Sequence, residues 1–167
     1  FNELPLLERP LAARLAGFDG VEIQFPYEVP AIQLAEAIQR AGLPLLLINL
    51  PAGDLMTGGA GLACVPQRQA EFDAALQEAL TYAAMTRPLK VNLLAGRLLP
   101  GVAEGQAWEC LVGNLRAAAQ VFSALGIQVL CEAINPLDMP GFLLNTPEQM
   151  LELLAAVDHP NLGLQLD

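Results

Sequence analysis

Short apolar runs alternate with longer stretches of helical periodicity along this chain. The runs occupy residues 21–25, 45–50, 89–95, 127–133 and 162–167, with Gly or Pro close to their ends. Short apolar segments between such breakers are the pattern of strands buried on both faces of a parallel sheet. Between them, apolar residues recur at the helical period. One stripe is Trp108, Leu111, Val112, Leu115, Ala119 and Phe122, and a second is Phe72, Leu76, Ala79 and Ala83. Met150, Leu151, Leu154 and Val157 predict a third helix, Ile32, Ala35 and Ile38 a fourth, and a short helix over residues 4–16 precedes the first strand.

The punctuation agrees. Gly17, Gly42 and Gly126 stand where helices give way to strands, because glycine takes the left-handed conformation that closes a helix. Thr146-Pro147-Glu148-Gln149 reads as a helix start, with Thr146 as cap, Pro147 in the first turn and Gln149 returning to complete a capping box. The resulting order, helix then strand five times over, predicts an α/β domain with a parallel sheet and helices outside it. The spacing of the strands is that of one barrel unit, an eight-fold barrel running to roughly 250 residues. Five strands are then part of a (β/α)8 TIM barrel, and a five-stranded doubly wound sheet competes with it. Periodicity does not choose between them. Phe25-Pro26-Tyr27 follows the first strand in place of a glycine-rich phosphate loop, which weakens a nucleotide-binding reading.

Composition narrows the function classes. The chain has 167 residues, 54% of them hydrophobic and only 16% charged, against roughly 25% charged in ordinary soluble domains. Disorder is excluded by the amount of apolar side chain available for burial. The net charge is -10, and no cluster of Lys and Arg offers a surface to nucleic acid or anionic lipid. No apolar run reaches the length of a membrane helix. Phe1 opens without a charged start or an apolar segment, which predicts no secretory leader. Cys64, Cys110 and Cys131 are scattered and odd in number, so neither a disulfide framework nor a zinc cage is expected. The expectation is a reduced, cytoplasmic protein folded as a single domain over residues 1–167.

Against this apolar background, polar residues near the C-terminal ends of the strands stand out. They are Glu22 and Gln24 on the first strand, Asn49 on the second, Asn92 on the third, Glu132 on the fourth, and Gln165 and Asp167 on the fifth. Side chains alternate along a strand, so Glu22 and Gln24 share a face, as do Gln165 and Asp167. Catalytic groups of α/β barrels come from these strand ends, and a ring of carboxylates and amides suits a hard divalent cation and a polyhydroxy substrate. Blander roles also fit some of them. Asn49 and Asn92 could bond neighbouring strands, and Glu22 the backbone amides of a loop. Glu132 is harder to dismiss, because a carboxylate flanked by apolar residues needs a cation, a metal or strong donors. Cys131 should face the helices, Trp108 should be core, and His159 should be a surface residue at the opposite end. The glycine-rich stretch 51–66 reads as a lid, a substrate-facing loop or a disordered segment, and 136–145 as a second long loop beside Glu132.

Several segments resemble a known family. Gly17-Phe18-Asp19-Gly20-Val21-Glu22 with Phe25-Pro26-Tyr27, then Asn49-Leu50-Pro51-Ala52-Gly53-Asp54, Leu94-Ala95-Gly96, Glu132-Ala133-Ile134-Asn135 with Asp138-Met139-Pro140-Gly141-Phe142, and Leu164-Gln165-Leu166-Asp167 resemble, in register, successive strands of hydroxypyruvate isomerases. These belong to the xylose-isomerase-like barrel superfamily. The resemblance implies a (β/α)8 barrel of which this chain carries the second to sixth strands, truncated at both ends. It implies a divalent metal, Mg2+ or Mn2+. It also implies interconversion of hydroxypyruvate and tartronate semialdehyde through an enediolate, with glutamates moving the proton.

On that resemblance Glu132 is catalytic acid/base and metal ligand, Asp167 is a second metal ligand, and Glu22, Asn49, Asn92 and Gln165 face the substrate, a small hydroxy-oxo acid. Departures are Asn92 where some members carry His, Ala133 where many carry Pro, and the lack of an Arg near Pro136. A related sugar or oxo-sugar-acid isomerase or epimerase is the runner-up. A phosphodiester-cleaving relative and a catalytically incomplete barrel fragment are further alternatives. A five-strand section leaves open sheet edges, which implies either further polypeptide or pairing with a second copy.

Overall fold

The computed structural model describes residues 1–166; Asp167 lies outside the described residues. Five parallel strands, β1 (Val21–Ile23), β2 (Leu45–Asn49), β3 (Lys90–Asn92), β4 (Gln128–Glu132) and β5 (Leu162–Gln165), alternate with helices α1 (Arg9–Leu15), α2 (Ala31–Ala41), α3 (Gln69–Thr86), α4 (Glu104–Ser123) and α5 (Pro147–Val157). The strands lie side by side in chain order, β1-β2-β3-β4-β5. A doubly wound sheet reverses its strand order at a switch point, so this order removes that alternative. The architecture is an arc of a β/α barrel.

The strands are shorter than the apolar runs that announce them. Hydrogen bonding nevertheless continues at their C-terminal ends: Asn49 donates to the Gln24 carbonyl at 2.7 Å, Leu50 to Asn92 at 2.9 Å and Leu93 to Leu130 at 2.9 Å. The expected first helix is a 3-10 turn (Leu6–Glu8) running into α1. The capping box at Thr146 is present, with both reciprocal bonds to Gln149. Gly42 ends α2 at φ 65°, as expected, whereas α3 and α5 end on Arg87 and Asp158, non-glycine residues at φ 53° and 47°.

One face of the sheet is sealed by the helices. Ile48, Val91, Val129 and Cys131 point into it and are buried, with Phe72, Leu111, Leu115 and Phe122 opposite them in one continuous core. Trp108 is half-buried and packs against that core.

Two helices are rotated relative to the expectation from their apolar residues. In α5 the buried residues are Met150, Leu153 and Val157, while Leu151 is 62% exposed. In α2 they are Leu34, Ala37, Ile38 and Ala41, while Ile32 is 52% exposed. Both helices carry more apolar residues than one face can bury, so the sheet's position selects among them. Among the described residues no helix is long and apolar enough to cross a membrane.

The two leucines of α5 offer a direct test of that orientation. Leu153→Ala should destabilise by about 2–5 kcal/mol, and Leu151→Ala by no more than about 0.5 kcal/mol, both read from urea midpoints. Equal costs would contradict the observed packing.

Candidate functional site

Four strands end in polar side chains: Asn49 on β2, Asn92 on β3, Glu132 on β4 and Gln165 on β5. Parallel pairing sets Asn49 beside Asn92 and Glu132 beside Gln165. The Nδ2 of Asn92 donates to Glu132 Oε1 at 2.7 Å and to Asn49 Oδ1 at 3.3 Å. Asn92 is 1% exposed and Asn49 4%. The carboxylate accepts only, so the amide nitrogen of Asn92 must face it. Its Oδ1 therefore points elsewhere, and it is buried without a donor among the described residues, as is Oε1 of Gln165. An unmet buried acceptor costs about 1–3 kcal/mol. Amide and carboxylate oxygens are hard donors, of the type that suits Mg2+ or Mn2+ better than a soft cation. Among the described residues no group of three His, Cys, Asp or Glu side chains could hold a metal ion, and Asp167 is not among them.

Glu22 does not join this cluster. A register shift between Val21 and Glu22 pairs Glu22 with Leu47, and Leu47 with Lys90. It thus lies one layer nearer the strands' N-terminal ends, in a hollow lined by Leu47, Lys90, Leu130 and Gln165. The residue at the cleft on this side is Gln24, directly after β1, which alternation along the chain had placed on the same face. The cleft itself is lined by Asn49, Met56, Glu132, Asn135, Asp138 and Met139 among others.

Sequence reading also passed over Tyr27. Its hydroxyl donates to the Asn49 carbonyl at 2.7 Å, and its ring stacks on Tyr82 at 5.0 Å. Burial, with Glu78 and Tyr82 nearby, pushes its phenol well above the ordinary value. It is a fixed donor that anchors the end of β2. Cys131 faces the helices, as expected, and burial pushes its thiol up to about 12. A thiol so protonated is no nucleophile at neutral pH. His159 is partly exposed in the loop that leads into β5, in keeping with the expected surface position. Its Nδ1 accepts from the Asn161 amide at 3.1 Å, and its Nε2 lies 3.3 Å from Gln120 Oε1.

The glycine-rich loop after β2 is ordered. It contains 3-10 turns at Leu55–Thr57 and Pro66–Arg68 and buries Leu55, Leu62, Cys64 and Val65. Arg68 holds it together. Its guanidinium donates to Asp54 Oδ1 at 2.7 Å, to both Glu71 oxygens at 2.9 and 2.7 Å, and to the Gly61 carbonyl at 3.0 Å. Asp54 also accepts from the Gly61 amide. The hydrogen bonds from Arg68 hold the carboxyls of Asp54 and Glu71 below their ordinary values.

Comparison with known proteins now adds to the geometry. The family model described as a xylose isomerase-like TIM barrel matches residues 10–167. The chain is similar to a hydroxypyruvate isomerase of Escherichia coli (strain K12), at 38% identity over the whole chain and 65% of the relative. It is similar to a 2-oxo-tetronate isomerase of Haemophilus influenzae, at 34% identity over the whole chain and 65% of that relative. A crystal structure titled AP endonuclease, family 2, from Brucella melitensis superposes with a TM-score of 0.93 at 35% identity, covering all of this chain and 64% of that one. The chain thus spans just under two thirds of the length of these relatives.

The Arg68 network predicts an acid-sensitive loop. Both carboxyls have lowered values when folded, so their pairing adds stability above the ordinary carboxylate range and loses it as pH falls through the lowered values. Amide exchange in residues 53–61 should quicken, beyond its intrinsic pH dependence, as the wild type is acidified below about pH 4. Arg68→Met should show fast exchange already at pH 7 and no acid step. A retained acid step in the variant would show that the loop is held by something else.

Proposed function

This chain belongs to the xylose isomerase-like TIM barrel family, and on that premise we propose that it forms the acid/base half of a metal-dependent isomerase of small hydroxy-oxo acids. The favoured reaction interconverts hydroxypyruvate and tartronate semialdehyde. The observation that carries the reading is the 2.7 Å bond from buried Asn92 to Glu132 at the mouth of the arc, beside the donorless oxygens of Asn92 and Gln165.

In this reading Glu132 takes the proton from the hydroxymethyl carbon of hydroxypyruvate. The electron pair of that C–H bond becomes the double bond of an enediolate. The hydroxyl proton on that carbon passes to the neighbouring oxygen, and the carbon-bound proton returns at the neighbouring carbon, so that the hydroxymethyl group becomes the aldehyde and the ketone the secondary alcohol. A carboxylate performs this only if it is ionised and aimed. Asn92 supports both conditions, since its N–H stabilises the charged form and fixes the plane of the carboxyl. Asn49, itself anchored through Tyr27, holds Asn92 in turn. Asn49 and Gln24 present amides to the substrate hydroxyls, and Met56 and Met139 form apolar walls that limit water. Glu132, with Asp167 and the free oxygen of Gln165, would hold Mg2+ or Mn2+, which when bound polarises the carbonyl and hydroxyl oxygens and supplies positive charge near the developing enediolate.

A second reading, isomerisation of a 2-oxo-tetronate, draws support from the Haemophilus influenzae relative. It uses the same residues and differs by one more carbon in the substrate. Cleavage of a nucleic-acid backbone is disfavoured. The net charge is -10, and the described residues lining the cleft include no Lys, Arg or His, whereas phosphate binding needs such charge. Among the described residues β1 and β5 are the edges of the sheet, which further strands or a second copy would cover.

Turnover of hydroxypyruvate and of a 2-oxo-tetronate with Mg2+ or Mn2+, by the protein at its natural length, is the test. Glu132→Gln should lower metal-dependent turnover by roughly 10²–10⁴-fold, with unchanged thermal unfolding. Full activity in that variant would overturn the assignment of Glu132, and the ratio of the two substrates separates the two readings.

A further inference from the structure

The segment after β3 runs in a seam between the two loops that wall the cleft. Gly96 has φ 93°, and a Cβ there would come within 2.5 Å of the Ala60 carbonyl, so only glycine lets the two loops approach this closely. The next residue, Arg97, is bonded on both sides. Its amide donates to Ala60 at 2.8 Å, and it pairs with Phe142 in an isolated antiparallel bridge. On the flanks, Leu143 donates to the Gly96 carbonyl at 2.9 Å and Leu98 to Gly141 at 3.0 Å.

The side chain of Arg97 repeats the pattern. Nη1 donates to the carbonyls of Leu55 at 2.9 Å and Gly59 at 2.6 Å, in the loop after β2. Nε donates to the carbonyl of Pro140 at 3.2 Å, in the loop after β4. None of these acceptors is a carboxylate. The guanidinium is instead divided between two backbone segments more than 80 residues apart in the chain (55–59 and 140). Its planar fork suits that task, since several donors hold fixed directions at once. Two of the three anchored carbonyls belong to residues next to the cleft: Leu55 precedes Met56, and Pro140 follows Met139.

The geometry points to Arg97 as a positioning residue that ties the loop after β2 to the loop after β4, making the Met56 and Met139 walls of the cleft one rigid unit that sets substrate fit. This rests on the proposed reading of the cleft as the substrate site. Arg97 touches no reacting atom. It acts through the two walls, so its loss should weaken substrate binding more than it slows the chemistry.

Amide exchange followed by mass spectrometry on the natural-length protein tests this, comparing wild type with Arg97→Met and Arg97→Lys. In Arg97→Met, residues 54–61 and 138–143 should both exchange about tenfold faster or more, as expected for losing charge-assisted bonds, while β2 and α4 stay unchanged. KM should rise about tenfold with a smaller change in kcat, by the same arithmetic. Arg97→Lys keeps the charge but not the fork, and should recover part of both effects. Faster exchange in one loop only, no change, a uniform rise that includes β2 and α4, or loosened loops with KM unchanged would each overturn the proposal. Should Arg97→Met fail to fold, the pattern in Arg97→Lys decides by the same criteria. A wild type that turns over neither substrate overturns the functional reading and, with it, the role in substrate fit, whereas the exchange pattern alone still decides whether Arg97 joins the two loops.

Discussion

Glu132 is a carboxylate at the end of a strand whose next residue inward, Cys131, is fully buried, and a charge so placed must be met by donors. The end of the sheet is organised around that requirement. Asn92 meets it directly at 2.7 Å. It can do so because β3 and β4 pair in a register that sets Asn92 beside Leu130, one pleat below Glu132. Asn92 in turn needs its amide held flat, and Asn49 does this from the other side. Asn49 sits where it does because Tyr27 grips its carbonyl, and Tyr27 rests on Tyr82, whose hydroxyl is bonded to the carbonyls of Pro26 and Val29. A chain of contacts therefore runs from the outer helix α3 to the carboxylate. A disturbance at any link reaches Glu132 through a hydrogen bond rather than through loose packing.

The loops above this layer depend on two guanidinium groups used in different ways. Arg68 is paired with acids and organises its own loop locally. Those acids are half exposed, so the pairing is open to salt and pH. Arg97 spends its donors on backbone carbonyls instead. Backbone carbonyls do not titrate, so that linkage should persist across the pH range in which the Arg68 network weakens. The two loops flanking the cleft thus combine an acid-sensitive element with an acid-insensitive one. The side-chain packing of Leu55, Leu62 and Val65 anchors the loop after β2 to the core.

The chain spans about 65% of the length of its relatives, and its sheet has two open edges among the described residues. The cleft is correspondingly one-sided. The described arc brings two carboxylates, a set of amides and an apolar wall, but no positive charge at the lining. Turnover of an anionic substrate would require positive charge from a cation or from the far wall of a closed barrel. That division of labour is consistent with barrel enzymes generally, in which catalytic groups are drawn from several strand ends.

Much of this was legible in the chain alone. The alternation of helix and strand, the polar residues at strand ends, the capping box at Thr146 and the inward aim of Cys131 all follow from local periodicity and backbone chemistry, and these act over a few residues. Strand order was not legible in periodicity, because that patterning is the same in a barrel and in a doubly wound sheet; the family resemblance implied the barrel, and pairing in space shows it. The buried faces of α2 and α5 were misjudged for a related reason. Leu151 and Leu153, or Ile32 and Leu34, are equally apolar, and the position of the sheet decides which is covered. Glu22 and Gln24 share a strand face, yet pairing sets Glu22 level with Leu47, a layer below the cleft that Gln24 reaches. The roles of Tyr27 and Arg97 were invisible because their partners are backbone carbonyls or rings far away in the chain. Sequence determined which segments become strands and helices and where polar groups gather along them. Tertiary structure decided which of those groups meet, since hydrogen bonds across 40 residues exist only after the strands have taken their places.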